Sequence, residues 1–105
     1  MTETPKGVYY PGETKPKRHP DAASRIYDGE AFIVLPSQSV YKILNSTGTR
    51  IWDLIDGNRT IDEMVRTIAD EYEVTAEEAR IDIDQFIKDL TANGMLAGDT
   101  AGKVA

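Results

Sequence analysis

The sequence predicts an α+β fold: a three-stranded antiparallel β-meander followed by three α-helices, packed as a winged-helix-like body. Three observations predict it. Between residues 24 and 44, three short runs rich in β-branched and aromatic residues are separated by turn signals. From residue 45 onward the apolar residues recur at helical spacing instead. Two capping boxes, Thr60-Ile61-Asp62-Glu63 and Thr75-Ala76-Glu77-Glu78, mark where two of the helices begin.

Residues 1–22 are rich in Pro, Gly and charge and are expected to form a flexible, extended arm. Its KPKRHP piece is a solvated basic segment or a docking patch. Ser24 to Tyr27 and Glu30 to Leu35 read as a hairpin, because Asp28-Gly29 supplies the positive φ angles of a tight two-residue turn. Pro36 to Ser39 form the next turn, leading into Val40-Tyr41-Lys42-Ile43-Leu44, a candidate edge strand. Asn45 or Ser46 can cap the first helix, LNSTGTRIWDLIDG, and Gly57 ends it. Ile61, Met64, Val65, Ile68, Ala69 and Tyr72 give the second helix one apolar stripe. Ala79, Ile83, Phe86, Ile87 and Leu90 do the same for the third, which Asn93-Gly94 closes. Met95-Leu96 is expected to pack back on the body. The expected boundaries are 1–22 for the arm, 23–97 for the domain and 98–105 for a disordered tail.

Composition narrows the function. No run approaches the roughly 20 apolar residues of a membrane span, and the first twenty residues lack a signal-peptide core. The expectation is a cytoplasmic protein without a membrane partner. The chain has no cysteine, which removes disulfide and thiol chemistry. Residues 60–93 hold ten carboxylates and three basic residues, within a formal net charge of −6. Nucleic acid binding rests on clustered Lys and Arg, so no nucleic acid partner is expected.

Catalytic chemistry is sparse. The single His19 sits in the arm, and one histidine without cysteine cannot build a zinc site. Glu77, Glu78, Asp82, Asp84 and Asp89 are spread around the third helix and interrupted by Arg80 and Lys88, the pattern of a solvated face. No metal, no cofactor and no catalytic residue is expected. Trp52, with Ile51 and Ile55, reads as a core anchor. Gly48 inside the first helix costs about 1 kcal/mol relative to alanine. Close approach of another backbone, or a fraying helix start, accounts for it.

With DNA disfavoured, the sheet edge remains. An exposed third strand offers unpaired amides and carbonyls to which an extended peptide can add itself, with the third helix receiving its side chains.

The chain resembles the pyrroloquinoline quinone biosynthesis protein D family, the PqqD-like peptide-recognition domains. The residues that carry the resemblance are Leu44-Asn45, Thr47-Gly48, Ile51-Trp52, Asp56-Gly57, Arg59-Thr60, Asp82-Ile83, Phe86-Ile87, Leu90, and Gly94 with Leu96. The match runs from about Pro16 to Leu96. The resemblance implies a winged-helix-like fold without catalytic activity of its own. It implies binding of the leader of a ribosomally made precursor peptide, which is handed to a modifying enzyme, often a radical S-adenosylmethionine enzyme. The leader adds beside the third strand and lies on the third helix. Members devoted to quinone synthesis commonly carry Pro-Glu before that strand, whereas this chain has Pro36-Ser37. Another modified peptide, such as a lasso or cyclised product, is therefore an alternative substrate.

Carried onto this chain, the peptide site comprises Val40, Tyr41, Lys42 and Ile43 with one flank of the third helix. Asp82, Gln85, Phe86 and Asp89 lie on one flank; Arg80, Asp84 and Ile87 lie on the other. The Asp82 flank is favoured, because Asp82 belongs to the family pattern and its carboxylate would attract a basic leader. Two other classes compete with an adaptor: a winged-helix transcriptional regulator or interaction module, and a small hydrolase using clustered carboxylates. The charge pattern disfavours the regulator, and no spacing supports the hydrolase. Duplex DNA should give no gel shift near physiological salt; a shift that weakens steeply with added salt would reinstate the regulator.

Overall fold

A computed structural model of the chain describes residues 8–9, 11–97 and 103–104. The start of the expected arm and most of the expected tail lie outside the described residues. In chain order the elements are β1 (Val8–Tyr9), β2 (Ala23–Tyr27), β3 (Glu30–Leu35), β4 (Val40–Ile43), α1 (Ser46–Leu54), α2 (Ile61–Tyr72), α3 (Ala76–Ala92) and β5 (Lys103–Val104). Strands β2, β3 and β4 form the antiparallel meander in that spatial order, and β1 pairs separately with β5. The predicted α+β architecture is the observed one.

Local chemistry sets the boundaries. Asp28 and Gly29 take φ values of 56° and 82°, the left-handed pair that a tight hairpin turn demands. Pro36–Gln38 form a single 3₁₀ turn, and Ser39 at φ 54° redirects the chain into β4. Asn45 caps α1, its side-chain oxygen accepting the Gly48 amide at 2.8 Å. Both capping boxes are present, on Thr60–Glu63 and Thr75–Glu78. Helix α1 stops at Leu54, three residues before the expected Gly57. There Asp56 Oδ1 accepts the amides of Asn58 and Arg59, which hold the chain in a turn. Those amide bonds favour the ionised form and lower the Asp56 pKa.

The core lies between the helix-facing side of the sheet and the three helices. Ala31, Ile33 and Leu35 alternate inward from β3. Ile51, Trp52 and Leu54 face them from α1, and the stripes of α2 and α3 close the far side. Met95 and Leu96 are buried behind α3. Tyr72 leaves the expected stripe because the last turn of α2 runs past the core, and its ring is exposed. No helix among the described residues is long and apolar enough to cross a membrane.

Residues 12–19, within the segment expected to be a flexible arm, run along the body, a turn at Gly12 and Glu13 leading into an extended stretch. The carbonyls of Gly12, Thr14 and Pro16 accept the amides of Asp62, Ile61 and Gly57. The Lys17 carbonyl and the His19 amide then bond to Ala97 and Met95. This strap brings Arg18 over the Trp52 ring, 4.4 Å from its centroid, where a guanidinium nitrogen donates to the Trp52 carbonyl at 2.7 Å. Burial lowers the Arg18 pKa, against the opposing pull of Asp53 and Asp56. On its other side, Trp52 Nε1 donates to Ser24 Oγ of β2 at 3.1 Å.

Trp52 therefore joins strap, sheet and helix. Trp52→Ala should lower the stability of the whole domain by about 3–5 kcal/mol, read as a shift of the urea midpoint. An unchanged midpoint would show that the ring contributes nothing to the fold.

Candidate functional site

Strand β4 pairs with β3 alone and forms one edge of the sheet. Its register sets Val40 opposite Leu35, Tyr41 opposite Val34, Lys42 opposite Ile33 and Ile43 opposite Phe32. The Leu44 amide donates to the Ala31 carbonyl at 2.9 Å, so residues 44, 42 and 40 turn their backbone groups toward β3. By the same alternation, Tyr41 and Ile43 point their amides and carbonyls away from the sheet. Both are free to pair with an added strand.

The side chains alternate the other way. Tyr41 and Ile43 stand exposed on the outer face, where the Tyr41 ring lies 5.6 Å from Phe32. Val40 and Lys42 project toward the helices, and Val40 packs on the core. Tyr41 and Ile43 thus meet the edge through their backbones, whereas Lys42 forms an ion pair with α3. Its Nζ lies 2.5 Å from Asp89 Oδ2.

Three contacts fix the course of α3 relative to β4. A Cβ added at Gly94 would come 3.3 Å from Gln38 Oε1. Asp89 meets Lys42, and a Cβ added at Gly48, beyond the end of β4, would come 3.2 Å from Phe86 Cε1. The helix therefore runs antiparallel to the strand, with Asp82 farthest along, beside the start of α1. A cavity of about 530 Å³ opens there, lined by Asn45, Thr47, Gly48, Ile51, Asp82, Gln85, Phe86 and Asp89.

The four α3 residues expected on the Asp82 flank share this one cavity. The opposite flank is closed: Ile87 is fully buried, and Arg80 pairs with Asp84 at 3.0 Å and reaches Asp62 of α2 at 3.5 Å. The start of α1 was not foreseen as part of the cavity. Gly48 carried a signal, an unfavourable residue in a helix: an added Cβ would meet the Asn45 side-chain oxygen and the Phe86 ring, each at 3.2 Å.

A larger concavity, about 750 Å³, lies at the hairpin end and is lined by Arg25, Ile26, Tyr27, Glu30, Ala31, Phe32 and Ile43. It is mostly apolar and lies away from α3. Size alone favours it, but the α3 cavity has the more polar lining and lies between the open strand and a helix. Among the described residues, no three His, Cys, Asp or Glu side chains converge as a metal site. His19 Nδ1 accepts the Asp21 amide at 3.0 Å. What the site offers is recognition: free backbone groups, a partly apolar cavity, and carboxylates at its rim.

A winged-helix-like domain with one sheet edge open beside a helical cavity defines the class. The chain belongs to the PqqD family: the model described as coenzyme PQQ synthesis protein D matches residues 30–96. Two solved structures share the fold. TbiB1 in complex with the TbiA(beta) leader peptide is 27% identical at a TM-score of 0.73, covering 78% of this chain and 95% of that one. A lasso peptide synthetase B1 complexed with the leader peptide is 22% identical at a TM-score of 0.72, covering 79% and 98%. No curated protein sequence matches the chain.

Gly48 is the floor of the cavity. Gly48→Val should drive its side chain into Phe86 and Asn45 and lower stability by about 1–3 kcal/mol, by overpacking. A urea midpoint equal to that of the unaltered protein would show that the cavity absorbs the branch without strain.

Proposed function

We propose that the protein is a non-catalytic adaptor. It binds the leader of a ribosomally synthesised precursor peptide and presents it to a modifying enzyme. The observation that carries this reading is the open edge of β4, with outward amides at residues 41 and 43, running beside the α3 cavity. Backbone pairing supplies affinity that most side-chain sequences can share, and pockets beside the strand supply selection. The TbiB1 structure, a relative above a quarter identity, carries a leader peptide and supports the same ligand class here.

Val40 to Ile43 form the pairing edge; Asp82, Gln85, Phe86 and Asp89 receive side chains of the bound strand. The partner is a peptide-maturation enzyme, with a radical S-adenosylmethionine enzyme as one candidate class and a lasso-type maturation enzyme as another. No step of covalent chemistry falls to this chain. Its site is the cytoplasm, where precursor peptides are made. A regulator acting on DNA is disfavoured by the acidic surface of α2 and α3.

The test uses a peptide selected against the protein from a displayed random library, titrated into isotopically labelled protein. Tyr41→Pro and Ile43→Pro each remove an outward amide and leave the β3 ladder intact. Either should weaken binding about tenfold or more while circular dichroism stays unchanged. Amide shifts that cluster in residues 11–22 and leave 40–44 and 78–90 unmoved would sink the proposal.

A further inference from the structure

Asp82 and Asp89 line the same cavity, yet they are not equivalent. Asp89 is held by Lys42, whose side chain crosses from β4 to α3. Among the described residues, the Asp82 side chain has no ion-pair or hydrogen-bond partner, and the residue is exposed. The two carboxylates are seven residues apart, about 10 Å along the helix axis. Phe86 lies between them, facing Gly48. The rim therefore has a neutralised end near the middle of β4 and a negative end beside the start of α1.

We propose that the Lys42–Asp89 pair acts as a charge latch that leaves Asp82, among the described residues, as the one cavity-lining carboxylate without an ion-pair partner. The site then selects a strand with a single basic side chain at the Asp82 end and a neutral or apolar side chain over Phe86. This inference rests on the adaptor reading and names the ligand class of that same site. Helix-facing side chains of an added strand recur every two residues, about 6.7 Å apart. A basic residue seated at Asp82 thus leaves the next helix-facing position near Phe86, and the one after it near the latch. A cation there would meet a carboxylate already paired with Lys42 and gain little. The latch converts a symmetric pair of acids into a directional code, because a strand inserted in the reverse sense would bring its cation to Lys42.

The probe is the display-selected peptide, resynthesised with Lys, Met or Glu at each position in turn and measured by fluorescence anisotropy at low and high salt. One position should prefer Lys over Met by about two- to fivefold at low salt, the span of an exposed ion pair, and salt should erase the preference. Asp82→Asn should abolish it. Lys42→Met should free Asp89 and create a second Lys-preferring position, and the double variant Lys42→Met, Asp89→Asn should remove that second position again. A Lys preference that survives Asp82→Asn would overturn the inference, and so would a Lys42→Met variant that gains no second position. Binding insensitive to Ile43→Pro would instead remove the adaptor reading, so the two failures are distinguishable.

Discussion

The rest of the structure depends on the burial of one indole. Trp52 sits where three parts of the chain with no mutual sequence proximity meet. Its ring fills the space under the sheet, its Nε1 is satisfied by Ser24 of β2, and its backbone carbonyl is satisfied by Arg18 of the strap. A buried aromatic contributes large area, but its polar atom needs a partner to avoid the cost of desolvation. Arg18 is the less comfortable member, since its Nε is buried without a partner. Stacking on the indole and the bond to the carbonyl offset that cost. The site depends on this knot indirectly. Trp52 fixes α1 against the sheet, α1 presents Gly48, and Gly48 sets where Phe86 and the cavity lie.

An open sheet edge is ordinarily a hazard, because unpaired amides recruit other chains without discrimination. Here β4 is only four residues long. Lys42 sits at its centre, and an edge lysine discourages a second copy from pairing in register, where like charges would be opposed. The flanking helices are acidic, and the net charge of −6 adds mutual repulsion between copies. The features that suppress self-association leave a neutral or basic strand as the partner that suffers least. Charge that opposes pairing between copies is thus the same charge that, on the proposed reading, would bias the choice of an added strand.

Much of this was legible in the sequence because local chemistry and tertiary packing agree. Asp28-Gly29 permits one kind of turn, each capping box starts a helix where the apolar period begins, and Asn45 caps α1. The α3 flank was legible in part: helical spacing places Asp82, Gln85, Phe86 and Asp89 together, but only the packing of α2 against Arg80 and Ile87 shows which flank is left open. The strap was not legible. Its residues are Pro- and charge-rich with no apolar period, and they are ordered by backbone bonds to Gly57, Ile61 and Asp62, which no side-chain pattern announces. The contribution of α1 to the cavity was hidden for a related reason. Phe86 and Gly48 are thirty-eight residues apart, and a glycine does not name the ring it accommodates.

A recognition site places different demands on a fold than an active site does. An enzyme concentrates perturbed, converging groups in a pocket that excludes water. A recognition edge instead needs backbone groups held in a fixed plane and side chains that only bias the choice. Both requirements fall on rigid elements here. The plane of β4 is set by β3, whose alternate residues are buried to completion, and α3 is pinned by its fully buried Ala79, Ile83, Ile87 and Leu90. On the proposed reading, what differs between one bound strand and another is met by the half-buried Phe86 ring and the exposed carboxylates on either side of it. Asp82 and Asp89 are exposed and can vary without disturbing the core, whereas Phe86 packs against it and is the most constrained of the three.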